Sequence, residues 1–191
     1  MQGPTEETIR IVGISGSLRK ARFSTALLKI LAEKATPSIE IDVVTLEDIP
    51  LYNDLDREPA VPSVTKLKKA IAETDGVLIV TPEYNHGIPG VLKNALDWIS
   101  RPVFESCFKG KPVSIISSSR GFTGGVRAQY QLRETLISTQ AHVVVGPEAV
   151  VGGIHKNLAA DFYADENGLA FMLSSVGRLR AEVLARRLMP V

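Results

Sequence analysis

The sequence predicts an α/β protein, a doubly wound sheet of five parallel strands flanked by helices on both faces. Three observations lead there. Apolar strand-type runs alternate with amphipathic helical runs along the 191 residues, the pattern that joins parallel strands through crossover helices. No two strand runs are joined by a short hairpin turn. The first, third and fourth strand runs each end in glycine- and hydroxyl-rich or polar segments, at the edge where open sheets hold their ligands.

The elements follow in order. Residues 9–15 (I-R-I-V-G-I-S) form an apolar strand. Helical spacing of apolar residues marks 24–35, with Phe23 or Ser24 near its start and Pro37 ending it. Residues 39–46 alternate apolar and polar positions, as in a strand exposed on one face. Pro50, Pro59 and Pro62, interleaved with Asp54, Asp56 and Glu58, make 49–62 a loop. A helix over 64–73 precedes the buried strand 76–81 (G-V-L-I-V-T), and Pro89 introduces a helix over 91–100. The fourth strand is 112–118, the next helix 126–139, the fifth strand 143–151, and 169–188 closes the chain as a helix. This length suits a single domain over 1–191, with 1–8 as a polar N-terminal extension.

Composition narrows the partners. With 22 basic and 21 acidic residues the net charge is +1, so no basic field favours nucleic acid or an anionic membrane. The single cysteine, Cys107, excludes an internal disulfide and fits a reducing compartment. Residues 1–8 lack the basic and apolar parts of a signal peptide, and no apolar run approaches a membrane span. The expected address is the cytoplasm.

The first strand runs into Ser15-Gly16-Ser17-Leu18-Arg19 and then a helix. Helix-start N–H groups lack internal partners and carry partial positive charge, so this junction suits an anion. The Ser15 and Ser17 hydroxyls can donate to phosphate oxygens, and Arg19 adds charge. The loop has neither the lysine-bearing spacing that grips a triphosphate nor the triple-glycine spacing of a dinucleotide site. Such a short serine-rich turn suits one phosphate monoester, the kind FMN carries. The alternative is a serine-capped helix after a buried strand.

The third strand runs into Pro82-Glu83-Tyr84-Asn85-His86-Gly87. Pro82 fixes the backbone, and N–H groups around Asn85 to Gly87 can bond the pyrimidine side of an isoalloxazine, where reduction builds negative charge. The alternative is a rigid turn with Tyr84 packed on the next helix. The fourth strand runs into Ser117-Ser118-Ser119-Arg120-Gly121, with Gly124 and Gly125 beyond. The three serines can bond ribityl hydroxyls or the ring edge, and Gly121 allows close backbone approach.

Gly16-Ser17-Leu18-Arg19, Thr81-Pro82-Glu83-Tyr84-Asn85, the run from Pro89 to Trp98 (P-G-V-L-K-N-A-L-D-W) and Gly124-Gly125-Val126-Arg127 together resemble the NADPH-dependent FMN reductase family. Within it, the chain is similar to the flavodoxin-like chromate and quinone reductases. The resemblance implies bound FMN, NADPH or NADH as hydride donor, and quinones as acceptors, with chromate and azo compounds as others. It implies ping-pong transfer in which the flavin N5 carries the hydride, so no side chain is a catalytic acid, base or nucleophile. The family's phosphate loop falls on Ser17, Leu18, Arg19 and Ser24, its ring-binding loop on Pro82 to Gly87, and its third flavin segment on Ser117 to Gly121. Two places depart from the family's pattern: Arg22 and Ser24 stand where serine and asparagine are frequent, and Gly87 stands where serine is frequent.

Other residues read as structural. His86 sits in the ring-binding loop as a cofactor-binding candidate and can shape the substrate pocket. An acid/base role is the lesser alternative, because the flavin nitrogen itself takes the hydride. His142 and His155 are scattered. Without paired His and Cys or clustered carboxylates a metal site is not expected. Cys107 has no catalytic partner. Lys93 and Asp97 are spaced to pair on a helix face. Leu92, Leu96, Trp98 and Ile99 offer more apolar surface than one helix side needs. Together with Arg127, Gln129 and Tyr130 they point to a homodimer or homotetramer in which a neighbour walls each site, in line with the family's assemblies. The competing reading is a flavodoxin-like electron carrier or FMN-binding redox sensor without turnover, although such carriers are usually strongly acidic and this chain is nearly neutral.

Overall fold

Parallel pairing follows from the crossover helices, and it joins the strands into one sheet. The structure, a computed structural model, describes residues 7–19, 23–35, 37–53, 60–159 and 162–188. The elements are β1 (Ile9–Ser15), α1 (Phe23–Ala35), β2 (Ile39–Val44), α2 (Pro62–Ala72), β3 (Gly76–Pro82), α3 (Gly90–Ile99), β4 (Pro112–Ser118) and α4 (Val126–Ser138). Then come β5 (His142–Val143), β6 (Ala149–Val151), the single turn α5 (Ile154–Asn157) and α6 (Glu166–Arg187). The strand order is β2-β1-β3-β4-β5, and every pairing between these strands is parallel, with Ile9 opposite Ile39, Gly13 opposite Leu78 and Ile79 opposite Ile115.

Both faces of the sheet are covered, so its central strands β1, β3 and β4 are buried almost throughout and largely apolar rather than alternating. Strand parity divides them. Ile9 and Ile11 of β1, Leu78 and Val80 of β3 and Ile116 of β4 pack beneath α1 and α6. Val12 and Ile14, Val77 and Ile79, and Val113 and Ile115 pack beneath α2, α3 and α4. Gly13 allows α1 to sit close: a Cβ there would lie 2.9 Å from both Leu28 and Ile41 side-chain carbons.

The expected fifth strand over 143–151 is broken. β5 pairs with Pro112 and Val113, while β6 pairs with β4 from Ile116 to Ser118. Between them Gly146 has φ +157° and Pro147 has no N–H to give the ladder, so the strand leaves its partner and rejoins it. The chain passes from β1 outward to β2 and returns to β3 on the other side. That reversal between β1 and β3 opens a crevice at their carboxyl ends.

Candidate functional site

The three carboxyl-end loops meet around a cavity of about 320 Å³, lined by Ser17, Arg19, Phe23, Ser24, Pro82, Glu83, Tyr84, Ser118, Ser119, Arg120 and Gly121. Its first wall is the β1–α1 loop. Gly16 lets this loop lie on β3, because a Cβ there would stand 2.7 Å from Thr81 Oγ1, and its N–H donates to Val80 O at 2.9 Å. Ser17 and Ser24 are buried and Arg19 is exposed. The first turn of α1 carries no carboxylate, and the N–H groups and dipole at a helix start favour an anion. Arg22 lies outside the described residues.

The second wall is a tight turn. Asn85 and His86 have φ +48° and +68°, the double positive φ of a type I′ turn, in which Asn is tolerated without glycine. Tyr84 N donates to Gly87 O at 2.9 Å and Gly87 N to Tyr84 O at 3.0 Å. The turn closes through those two residues, leaving Asn85 and His86 exposed at its tip. Ile88 N donates to Gln131 Oε1 at 2.7 Å, and Gln131 fills the space beside Gly87, where a Cβ would lie 2.4 Å from Oε1. A serine at that place would meet the same side chain.

Glu83 has a task of its own. Its carboxylate accepts from Arg127 N at 3.1 Å and pairs with the Arg127 guanidinium at 3.4 Å. That contact sits in the first turn of α4, so the carboxylate occupies the positive end of that helix. Of the helix starts at this edge, α4 holds the Glu83 carboxylate, whereas α1 carries no acidic residue in its first turn. Across the crevice, Tyr84 Oη and Ser17 Oγ lie 2.9 Å apart, and the Arg19 guanidinium stands 5.9 Å from the Tyr84 ring centroid. Tyr84 therefore clasps the first loop rather than packing on α3.

The third wall follows β4. Ser118 Oγ is buried and has no hydrogen-bond partner among the described residues, while Ser119 Oγ donates to Gly121 O at 2.9 Å. Ser119 N donates to Val151 O, Gly153 N to Gly121 O and Ile154 N to Ser119 O, each at 3.0 Å. The loop is thus held against the β6–α5 turn.

Not every expected residue reaches the cavity. Ser15 is buried, its Oγ 2.8 Å from Thr25 Oγ1, tying β1 to α1. Ser117 lies on the opposite face of β4 from Ser118 and accepts from Gln129 Nε2 at 3.1 Å. Leu18, Asn85, His86 and Gly87 border the crevice without lining it. Phe23 and Arg120 do line it. Each sat beside a chosen residue in the sequence, Phe23 against Ser24 and Arg120 between Ser119 and Gly121, and that adjacency was the available signal.

The apolar surplus expected on α3 is absent. Leu92, Leu96, Trp98 and Ile99 are all at most 4% exposed within the chain itself. Trp98 Nε1 and Asn94 Nδ2 both donate to Pro50 O at 2.8 Å, and the Trp98 ring meets Tyr52 edge-on at 5.0 Å. Segment 49–53 covers the helix face that a neighbour was expected to cover. Gln129 is likewise fully buried, whereas Arg127 and Tyr130 are exposed. Lys93 and Asp97 do pair, at 2.7 Å. His142 pairs with Glu182 at 2.9 Å, and burial pushes the Cys107 thiol up to about 11, which leaves it a poor nucleophile.

A doubly wound sheet of this strand order, with a loop-walled crevice at its β1/β3 switch, defines the flavodoxin-like class of mononucleotide-binding folds. The chain belongs to the NADPH-dependent FMN reductase family, whose model matches residues 9–156. It is 43% identical over 154 residues to a quinone reductase of Escherichia coli, covering 79% of this chain and 81% of that one. Similarity to an NAD(P)H-dependent FMN reductase of Pseudomonas aeruginosa is 40% over 146 residues, covering 76% and 78%. Among solved structures, the flavoenzyme NAD(P)H:(acceptor) oxidoreductase of Paracoccus denitrificans matches with a TM-score of 0.86 and 34% identity over 93% of this chain and 98% of that chain. The protein is accordingly an oxidoreductase that works with FMN and NAD(P)H.

The residues of the crevice fit that cofactor. A buried hydroxyl without a partner is costly, and Ser118 Oγ is one that a bound polar ligand would satisfy. The start of α1, with Ser17, Ser24 and Arg19 around it, supplies donors and positive charge without a carboxylate in the first helical turn.

Proposed function

We propose that this chain is an FMN-holding NAD(P)H oxidoreductase of the cytoplasm that reduces quinones, with chromate and azo compounds as further acceptors, in ping-pong order. One observation carries the reading: a single cavity joins the loop at the start of α1, the segment Pro82 to Tyr84 that leads into the turn after β3, and a buried hydroxyl without a partner among the described residues. Bound there, FMN supplies a ring that accepts hydride from a nicotinamide and yields it to an acceptor.

The chain's own residues bind and orient. Ser17, Arg19 and Ser24, with Leu18 in the same loop, hold the phosphate end. Ser118, Ser119 and Gly121 serve the ribityl side, and Pro82 to Gly87 frame the ring. Glu83 fixes the third-strand loop to α4 and keeps that helix start from competing for the phosphate. Tyr84 ties the two walls together through Ser17. No side chain is assigned as an acid or base. The domain acts as one unit over 1–191, and the assembly is a homodimer or homotetramer built through surfaces other than the covered face of α3.

The test is direct. Purified protein should be yellow, release FMN on denaturation, and sustain oxidation of NADPH or NADH when benzoquinone is supplied. Steady oxidation separates a reductase from an electron carrier, which would hold FMN but show no sustained turnover. Riboflavin binding the apoprotein as tightly as FMN would remove the phosphate from the argument.

A further inference from the structure

Among the described residues, three guanidinium groups bear on the crevice, and their surroundings differ. Arg127 is neutralised by Glu83 at 3.4 Å, and Arg19 stands over the Tyr84 ring on the α1 side. Arg120 lines the cavity from the β4 loop, is exposed, and has no hydrogen-bond or ion-pair partner among the described residues. FMN brings one phosphate, and the start of α1 with Ser17, Ser24 and Arg19 suits it. That leaves a second cation in the same cavity.

We propose that Arg120 binds a phosphate of the incoming nicotinamide nucleotide. The assignment rests on the reading of the crevice as an FMN and NAD(P)H site. A guanidinium presents a planar fork that matches two phosphate oxygens, and unpaired positive charge at a cleft attracts an anionic substrate. The backbone around Arg120 is already set. Ser119 Oγ donates to Gly121 O across it, and both flanking residues are bonded to the β6–α5 turn. Only the side chain has to become ordered on binding, which keeps the entropic cost low. NADPH offers two places for this contact, the pyrophosphate it shares with NADH and the 2′-phosphate it alone carries.

The experiment uses the FMN-loaded protein with Arg120→Ala and Arg120→Lys. Steady-state kinetics are measured with NADPH and with NADH against benzoquinone. Calorimetry without turnover follows the binding of adenosine 2′-monophosphate and of ADP. Arg120→Ala is expected to raise KM for NADPH about ten- to a hundredfold, the loss of a charge-assisted contact, with the effect on KM rather than kcat. Arg120→Lys, which keeps charge and loses the fork, should recover part of it. If only NADPH and adenosine 2′-monophosphate weaken, the contact is to the 2′-phosphate. If both donors and ADP weaken together, it is to the pyrophosphate. Unchanged KM for both donors, or a loss of FMN from Arg120→Ala, would overturn the assignment while the wild type stays active. A wild type that holds no FMN and oxidises neither donor would overturn the site itself and the role of Arg120 with it.

Discussion

At the scale of single residues, Arg19 decides how much of the phosphate affinity comes from charge. It is exposed beside the start of α1, so removing it leaves the backbone N–H groups and the Ser17 and Ser24 hydroxyls in place. Charge-assisted hydrogen bonds contribute about 1.5–3 kcal/mol. Arg19→Ala should therefore weaken FMN roughly ten- to a hundredfold, read by fluorescence titration of the apoprotein at low salt. Unchanged affinity would assign the phosphate to the amides and hydroxyls alone. Residue types at this site were legible in the sequence; directions were not. Ser117 and Ser118 are chemically alike, but strand parity sends the first under α4 to Gln129 and leaves the second at the cavity. That distinction needs to know which helix covers which face. Glu83 was legible as a carboxylate by the ring and not as the cap of α4, because the cap is made across 44 residues of sequence.

At the scale of elements, the turn after β3 and helix α4 support each other. Gln131 reaches from α4 to bond Ile88 N, in space that Gly87 leaves free. Adding a methyl at Gly87 pushes the flexible amide away and costs that bond, about 0.5–1.5 kcal/mol. In urea denaturation Gly87→Ala should lower stability by about that amount. The same change in a Gln131→Ala background should cost close to nothing. Equal losses in both backgrounds would mean that the amide is not what the glycine accommodates. The order of strands and helices was legible because apolar periodicity and crossover length are local properties. What covers α3 was not. The loop 49–62 reads as polar and proline-rich, yet Pro50 and Tyr52 close over Trp98. A backbone carbonyl and one aromatic leave no periodic trace. The break in the fifth strand had its signal in Gly146-Pro147, which lies within an otherwise strand-like run.

At the scale of the whole molecule, Asp75 ties both termini of the described fold to its middle. It accepts from Arg10 N at 2.8 Å and from the Arg187 guanidinium at 2.6 Å, and Arg187 also pairs with Glu7. Burial alone would raise its carboxyl. The Arg10 N–H and the Arg187 charge outweigh that and hold it below the ordinary 3.8. A lowered carboxylate contributes stability that is complete above the ordinary value and is lost as pH falls through the folded one. Asp75→Asn should therefore be less stable than wild type near neutral pH, and the gap in urea midpoint should close as the solution is acidified below 3.8. A gap that stays constant into strong acid would mean that Asp75 acts by shape rather than charge. The divided fifth strand has a consequence for crowding. A sheet rim is a template on which a stray chain can lay down a further strand. On this rim the template is two residues, an interruption with a proline, and then three more. It is too short and too uneven to seed a growing stack, so strand pairing between crowded copies of this chain is left to the opposite rim, where β2 is continuous over six residues.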